Sequence, residues 1–258
     1  MTHSISYRRM LSRMGYYDYQ NRLLYHLLNQ QGGWDQHLEN CRRFILKALE
    51  YYNPEKVTVL GSGWLIDLPL AEMIEKTGKI CLVDIIHPPD VVSQAGKIMN
   101  IELDEQDVTG GLIEEVWKKT RRFSFFHKLR SLKEIVVPEY LPESDPGLVI
   151  SLNILTQLES QLIYYLKKIS KIDEEEFKIF SSQIQQEHLD FLRKYRSVLV
   201  TDYAEVITNR SGSIKTITTL YADLPESKFK EEWSWNFDHT GDDLYNSRSE
   251  FKIIALIT

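Results

Sequence analysis

Four short, nearly unbroken apolar runs constrain this chain more than any other feature: Val57–Leu60, Ile80–Val83, Leu148–Leu152 and Val198–Val200. A strand with one wet face alternates polar and apolar residues, whereas a strand covered on both faces reads as flat apolarity. Helical patterns separate the runs, at Leu65–Glu75, Val91–Ile98, Leu112–Leu132, Gln157–Ile169 and Phe177–Tyr195. Strands buried on both faces that alternate with helices predict an α/β fold: a mostly parallel sheet between two helical layers. After these come two strand-like runs with no convincing helix between them, Ile214–Tyr221 and Phe251–Ile257, which are expected to pair antiparallel. Before Pro54 the spacing is helical only, with Leu23, Leu24, Leu27 and Leu28, then Phe44, Ile45, Ala48 and Leu49, at i, i+3, i+4 positions. Gly32-Gly33 and Asn53-Pro54 punctuate that region. The expected organisation is a helical N-terminal extension over 1–53 and an α/β domain over 54–258.

The chemistry concentrates where the first apolar run ends. Val57-Thr-Val-Leu-Gly61-Ser62-Gly63 is a strand running into a glycine turn, a helical pattern follows, and the second run ends in Asp84. Glycines at a strand end permit a sharp turn and close approach of a ligand to the backbone, and an acid at the next strand tip can accept hydrogen bonds from ribose hydroxyls. The same residues also serve a plain strand–helix turn and a helix cap. Ile66 stands where a dinucleotide-binding G-x-G-x-x-G would have its third glycine. The expected ligand is therefore a nucleoside without a pyrophosphate, and a nicotinamide-dependent oxidoreductase is disfavoured.

This succession resembles the class I S-adenosylmethionine-dependent methyltransferases, a Rossmann-like family with a seven-stranded sheet and an antiparallel last strand. Gly61 and Gly63 match the family's first motif; Leu65 replaces its common third glycine, and the acid before the first glycine is missing. Asp84 matches the ribose-binding acid, followed by Ile85. Asp107-Val108-Thr109 resembles the segment that meets adenine, and Ser151-Leu-Asn153 the segment beside the methyl donor. Ser197–Tyr203 resembles the fifth strand, and Trp233-Ser-Trp235 precedes the closing one. The resemblance implies S-adenosylmethionine as co-substrate, held by Gly61, Ser62, Gly63, Asp84, Ile85, Asp107, Val108 and Asn153. It implies methyl transfer, with a small molecule as the expected acceptor. A donor-binding or scaffold relative without catalysis is the alternative, because of Leu65 and the missing acid. Asn153, His87 and Tyr17 are the candidates for a catalytic part. The tyrosine cluster Tyr16, Tyr17 and Tyr19 either packs the extension onto the domain or covers the site.

Charge and cysteine content narrow the partners. The net charge of −6 argues against bulk nucleic-acid binding, yet it conceals a stretch of net +5 over residues 112–133. Lys118, Lys119, Arg121 and Arg122, with Lys128, Arg130 and Lys133 beyond, form either a solvated helix face or a contact for an anionic substrate. Asp173–Glu176 reads as the acidic first turn of a helix. Two cysteines, Cys41 and Cys81, cannot build a disulfide framework or a cysteine zinc site. There is no H-E-x-x-H, no C-x-x-C, no G-x-x-x-x-G-K-[ST] and no G-x-S-x-G, so no metal is expected and covalent hydrolysis is unsupported. No apolar run approaches the length that spans a bilayer, and the first twenty residues lack a signal-peptide core, so a cytoplasmic location is expected.

Overall fold

The computed structural model describes residues 3–122, 129–241 and 247–258. Three helices come first: α1 (Ile5–Met14), α2 (Tyr16–Asn29) and α3 (Asp35–Tyr52). The alternating region follows with β1 (Lys56–Leu60), α4 (Leu70–Lys76), β2 (Lys79–Asp84), α5 (Pro89–Ala95), β3 (Ile101–Glu105), α6 (Leu112–Arg122), β4 (Leu148–Leu152), α7 (Ser160–Ile169) and α8 (Glu174–Leu192). The chain ends in β5 (Ser197–Asn209), β6 (Ile214–Thr218), β7 (Phe229–Asp238) and β8 (Ser247–Ile257).

One sheet carries the fold, in the order β3-β2-β1-β4-β5-β8-β7, with β6 branching from β5. Strands β1 to β5 are mutually parallel, and β8 runs antiparallel between β5 and β7. Flat apolarity is explained by the two cores on either side. Val57 and Val59 face one core with α3, α4 and α5, while Leu60, Val83 and Val149 face the other with α1, α6, α7 and α8. The fold is a three-layer Rossmann-like α/β sheet, mostly parallel, with helices leading into it.

Three expectations need correction. The runs Ile214–Tyr221 and Phe251–Ile257 do not pair with each other: β6 and β8 each pair antiparallel with β5, whose 13 residues are long enough to serve both. The helix expected from Leu65 starts only at Leu70, because Pro69 provides the helix entry and the preceding segment is looped. The helix expected over Leu112–Leu132 is α6 to Arg122, and a single 3₁₀ turn occupies Leu132–Glu134. Residues 123–128 of that pattern, Lys128 included, lie outside the described residues.

Candidate functional site

Parallel strands that all end at one edge bring their following loops together, and ligands of open α/β sheets bind outside those carboxyl ends. Here a cavity occupies that edge, with about 1200 Å³ of empty space including its open mouth. Its floor is the loops after β1, β2, β3 and β4, and its roof is the first half of α2 with Trp34, His37 and Leu38 at the start of α3.

The loop after β1 is built around Gly61, whose backbone is left-handed at φ +80°. A Cβ there would lie 2.8 Å from Cβ of Ile154 and 3.0 Å from the Leu152 carbonyl oxygen, so only glycine fits. The Gly63 amide donates to Oδ2 of Asp84 at 2.8 Å, which ties the first loop to the tip of β2. Oδ1 of Asp84 accepts from the Gln20 side chain at 3.3 Å and the Ile86 amide at 3.4 Å. Burial raises the Asp84 pKa, opposed by these amides and by the charge of His87. Asp107 also lines the cavity, but its oxygens already accept from the Thr109 amide at 2.9 Å, the Thr109 hydroxyl and the Ile113 amide at 3.3 Å. It therefore caps the start of α6 as well as facing the cavity.

Asn153 follows β4 with a left-handed backbone, φ +51°. Its amide donates to Oδ2 of Asp67 at 2.9 Å. Burial pushes the Asp67 carboxyl up to about 6, against the hydrogen bond from Asn153 and the charge of Arg42. Beside them His37 stacks on Trp235, with centroids 4.1 Å apart and planes within 6°. The indole N–H of Trp233 donates to Nδ1 of His37 at 3.1 Å, and Nε2 of His37 lies 3.1 Å from the Asn153 side-chain nitrogen. Burial lowers the His37 pKa to about 3. Four buried polar atoms of the lining residues lack a hydrogen-bond partner: the Tyr16 hydroxyl, the Ser62 hydroxyl, Oδ1 of Asn153 and the Trp235 indole nitrogen. An unsatisfied buried polar group is costly, so four in the lining residues of one cavity point to a polar ligand.

Gly61, Ser62, Gly63, Asp84, Ile85, Asp107, Val108 and Asn153 all line this cavity. His87 does not: its Nε2 faces the Asp104 carbonyl 3.2 Å away, since the Pro88-Pro89 start of α5 carries the chain away from the edge. Tyr17 packs against the core on the side of α1, and helical spacing turns Tyr16 and Tyr19 to the cavity instead. Lys118, Lys119 and Arg121 lie away from it. The two lysines pair one turn back with Glu114 and Glu115, and Arg121 lies 4.6 Å over the Trp117 ring. The side chain of Arg122 lies outside the described residues. Sequence reasoning missed Asp67, His37, Gln20 and Trp34; only Asp67 had a signal, as an acid four residues past Gly63 in a segment mistaken for helix.

No family model matches the sequence, and no curated protein matches it. Solved structures with similar folds are methyltransferases. One is Burkholderia thailandensis 1,6-didemethyltoxoflavin-N1-methyltransferase, solved with 1,6-didemethyltoxoflavin and S-adenosylhomocysteine; it is 8% identical with a TM-score of 0.43, over 100% of this chain and 92% of that one. Another is the N-methyltransferase NodS of Bradyrhizobium japonicum WM9 with S-adenosylhomocysteine, 10% identical with a TM-score of 0.37, over 84% and 86% of the chains. The DhpI complex with S-adenosylhomocysteine is 10% identical with a TM-score of 0.33, over 91% and 94%. In this chain's own sheet five parallel strands are followed by β8, antiparallel between β5 and the edge strand β7. Among the described residues no His/Cys/Asp/Glu group is arranged to hold a metal ion, and no helix is long and apolar enough to cross a membrane.

Proposed function

We propose that the chain binds S-adenosylmethionine along the sheet edge and transfers its methyl group to a small molecule. The observation that carries this reading is the one cavity lined together by the Gly61–Gly63 loop, Asp84, Asp107 and Asn153, with unsatisfied polar atoms at Tyr16, Ser62, Asn153 and Trp235. Asp84 would receive the ribose hydroxyls, Val108 and Ile85 would flank the adenine beside Asp107, and the open backbone at Gly61–Gly63 would pass the methionine part. The bound donor supplies an activated methyl group on a sulfonium. The protein's part is to orient the acceptor in line with that methyl and to exclude water, which can be worth several kcal/mol.

The acceptor side is set by the rest of the lining. Tyr16, Tyr19, Leu23, Leu24, Trp34 and Trp235 give an aromatic and aliphatic wall, and among the described residues no lysine or arginine joins it. Three carboxylates, Asp67, Asp84 and Asp107, are its charged groups apart from His37, which is held neutral. An uncharged or cationic apolar acceptor fits this wall; an anionic one does not, and the ion-paired α6 face lies elsewhere. Donor binding without turnover is the second reading, favoured by Leu65, a bulky residue held at φ +62° where the family's glycine would be.

Titration calorimetry with S-adenosylmethionine, S-adenosylhomocysteine and NAD is the test. Both adenosyl compounds should bind and NAD should not; failure of both would sink donor binding. Asp84→Ala should weaken both by about 1.5–3 kcal/mol through the lost charge-assisted hydrogen bonds. An unchanged affinity would show that another acid holds the ribose. Turnover on a panel of uncharged and cationic aromatic metabolites then separates an enzyme from a binding protein.

A further inference from the structure

The sheet edge imposes an order on anything laid along it. The sequence of strands β3-β2-β1-β4 places Asp107, Asp84, the Gly61–Gly63 loop and Asn153 in that succession. At about 4.8 Å per strand the row is roughly 14 Å long. An adenosyl donor has its base, ribose, sulfur and amino-acid group in one linear order. With its base at Asp107 and its ribose at Asp84, its amino-acid end must come to the Asn153 end of the row. That end holds Asp67.

We propose that Asp67, with the free Oδ1 of Asn153, binds the α-ammonium group of the donor, in place of the acid missing before Gly61. The inference rests on the donor reading above. The geometry supports it in four ways. Asp67 lines the cavity, half-buried, and its side chain accepts from the Asn153 amide at 2.9 Å. That amide orientation leaves Oδ1 of Asn153 buried and without a partner, a second acceptor beside the carboxylate. No lysine or arginine among the described residues lines the cavity to neutralise the carboxylate from within, and Arg42 directs its guanidinium to the Ile66 carbonyl. His37 beside it, stacked on Trp235, is kept neutral by burial. A half-buried carboxylate beside an unpartnered carbonyl oxygen is an acceptor set suited to an ammonium group, with three donors.

The test uses ligands that differ only at that end. The wild-type chain is titrated with S-adenosylhomocysteine, with its analogue lacking the α-amino group, and with 5′-methylthioadenosine, which lacks the whole amino-acid end. Asp67→Asn, isosteric and uncharged, is titrated with the same three. Wild type should lose tenfold or more on removal of the amino group. Asp67→Asn should weaken S-adenosylhomocysteine by a similar factor and leave methylthioadenosine within twofold. Methylthioadenosine thus reports the integrity of the variant's site, and the wild-type comparison stands even if the variant does not fold. Equal wild-type affinity with and without the amino group overturns the anchor and leaves the donor reading intact. So does an Asp67→Asn variant that binds S-adenosylhomocysteine as tightly as wild type. A wild-type chain that binds none of the three overturns both readings.

Discussion

The residue that most tests the physical reading is Leu65. It stands in the left-handed region at φ +62°, where a Cβ crowds the following carbonyl at about 1–2 kcal/mol per residue. Its side chain is half-buried and packs against the α3 side of the sheet, so it offsets part of that cost. Leu65→Ala would lose the packing and keep the strain, whereas Leu65→Gly would lose the same packing and release the strain. The glycine variant should therefore be the more stable by about 1 kcal/mol, the reverse of the usual order for a loop residue. Urea denaturation of the two variants decides it, and an alanine variant at least as stable would show that the left-handed backbone there costs nothing. Legibility at this scale followed the motif. Gly61, Gly63, Asp84 and Asn153 were readable because turn and strand-tip positions demand particular residue types. His37 and Trp34 were not, because each reaches the cavity through tertiary packing that no local spacing records, and Asp67 was hidden in a loop whose spacing reads as helix.

At the scale of elements, the buried strands were legible for the same reason that they are buried: both faces are covered, so every position is apolar. Strand β7 lacks that signature. Its alternation of charged and aromatic residues, Phe229-Lys-Glu-Glu-Trp-Ser-Trp, is that of an edge strand with one wet face, and the pairing of both β6 and β8 with β5 depends on the length of β5. Helix starts were readable where a cap is present. Asp173 sits just before α8 in extended conformation and accepts from the Glu176 amide at 2.8 Å, with Glu174, Glu175 and Glu176 in the first turn. The Glu176 carboxylate in turn accepts from the Leu132 amide at 2.7 Å, so this end of α8 also holds the 3₁₀ turn. Asp173→Ala should cost about 0.5–2 kcal/mol, through loss of the cap and of a favourable charge at the helix N-terminus. Asp173→Asn should recover most of the loss in thermal denaturation. An alanine variant as stable as wild type would mean that the Glu176 contacts alone hold the end.

Across the whole molecule, acid sensitivity is set by two opposed sets of buried groups. His37 and His188 are buried and neutral, with pKa values lowered by burial to about 3 and about 4. Asp67, Asp84, Asp107, Asp202 and Glu159 are buried with raised pKa values. The two sets act in opposite directions. In the unfolded chain a histidine takes up its proton near pH 6.5, which the folded ring refuses, so its contribution is intact above that pH and is lost as pH falls toward the folded value. A carboxyl with a raised folded pKa binds its proton first in the folded state and gains stability over the same descent. The wild-type profile is the sum of the two, so a single histidine must be isolated by difference. His188 is the suitable one: it lies on α8 outside the cavity lining, bonded through Nε2 to the Ser151 hydroxyl at 2.8 Å, with no charged partner in its shift. A glutamine there keeps a polar partner for Ser151 and cannot be protonated. The unfolding free energy of wild type minus that of His188→Gln should therefore fall by up to about 1.4 kcal/mol per pH unit between pH 6.5 and about 4, and stay constant above pH 7. Chemical denaturation of both proteins at half-unit pH steps measures it. A difference that stays flat through that window would mean that the folded protein admits a proton to His188, and that the α8 core is open to water in acid.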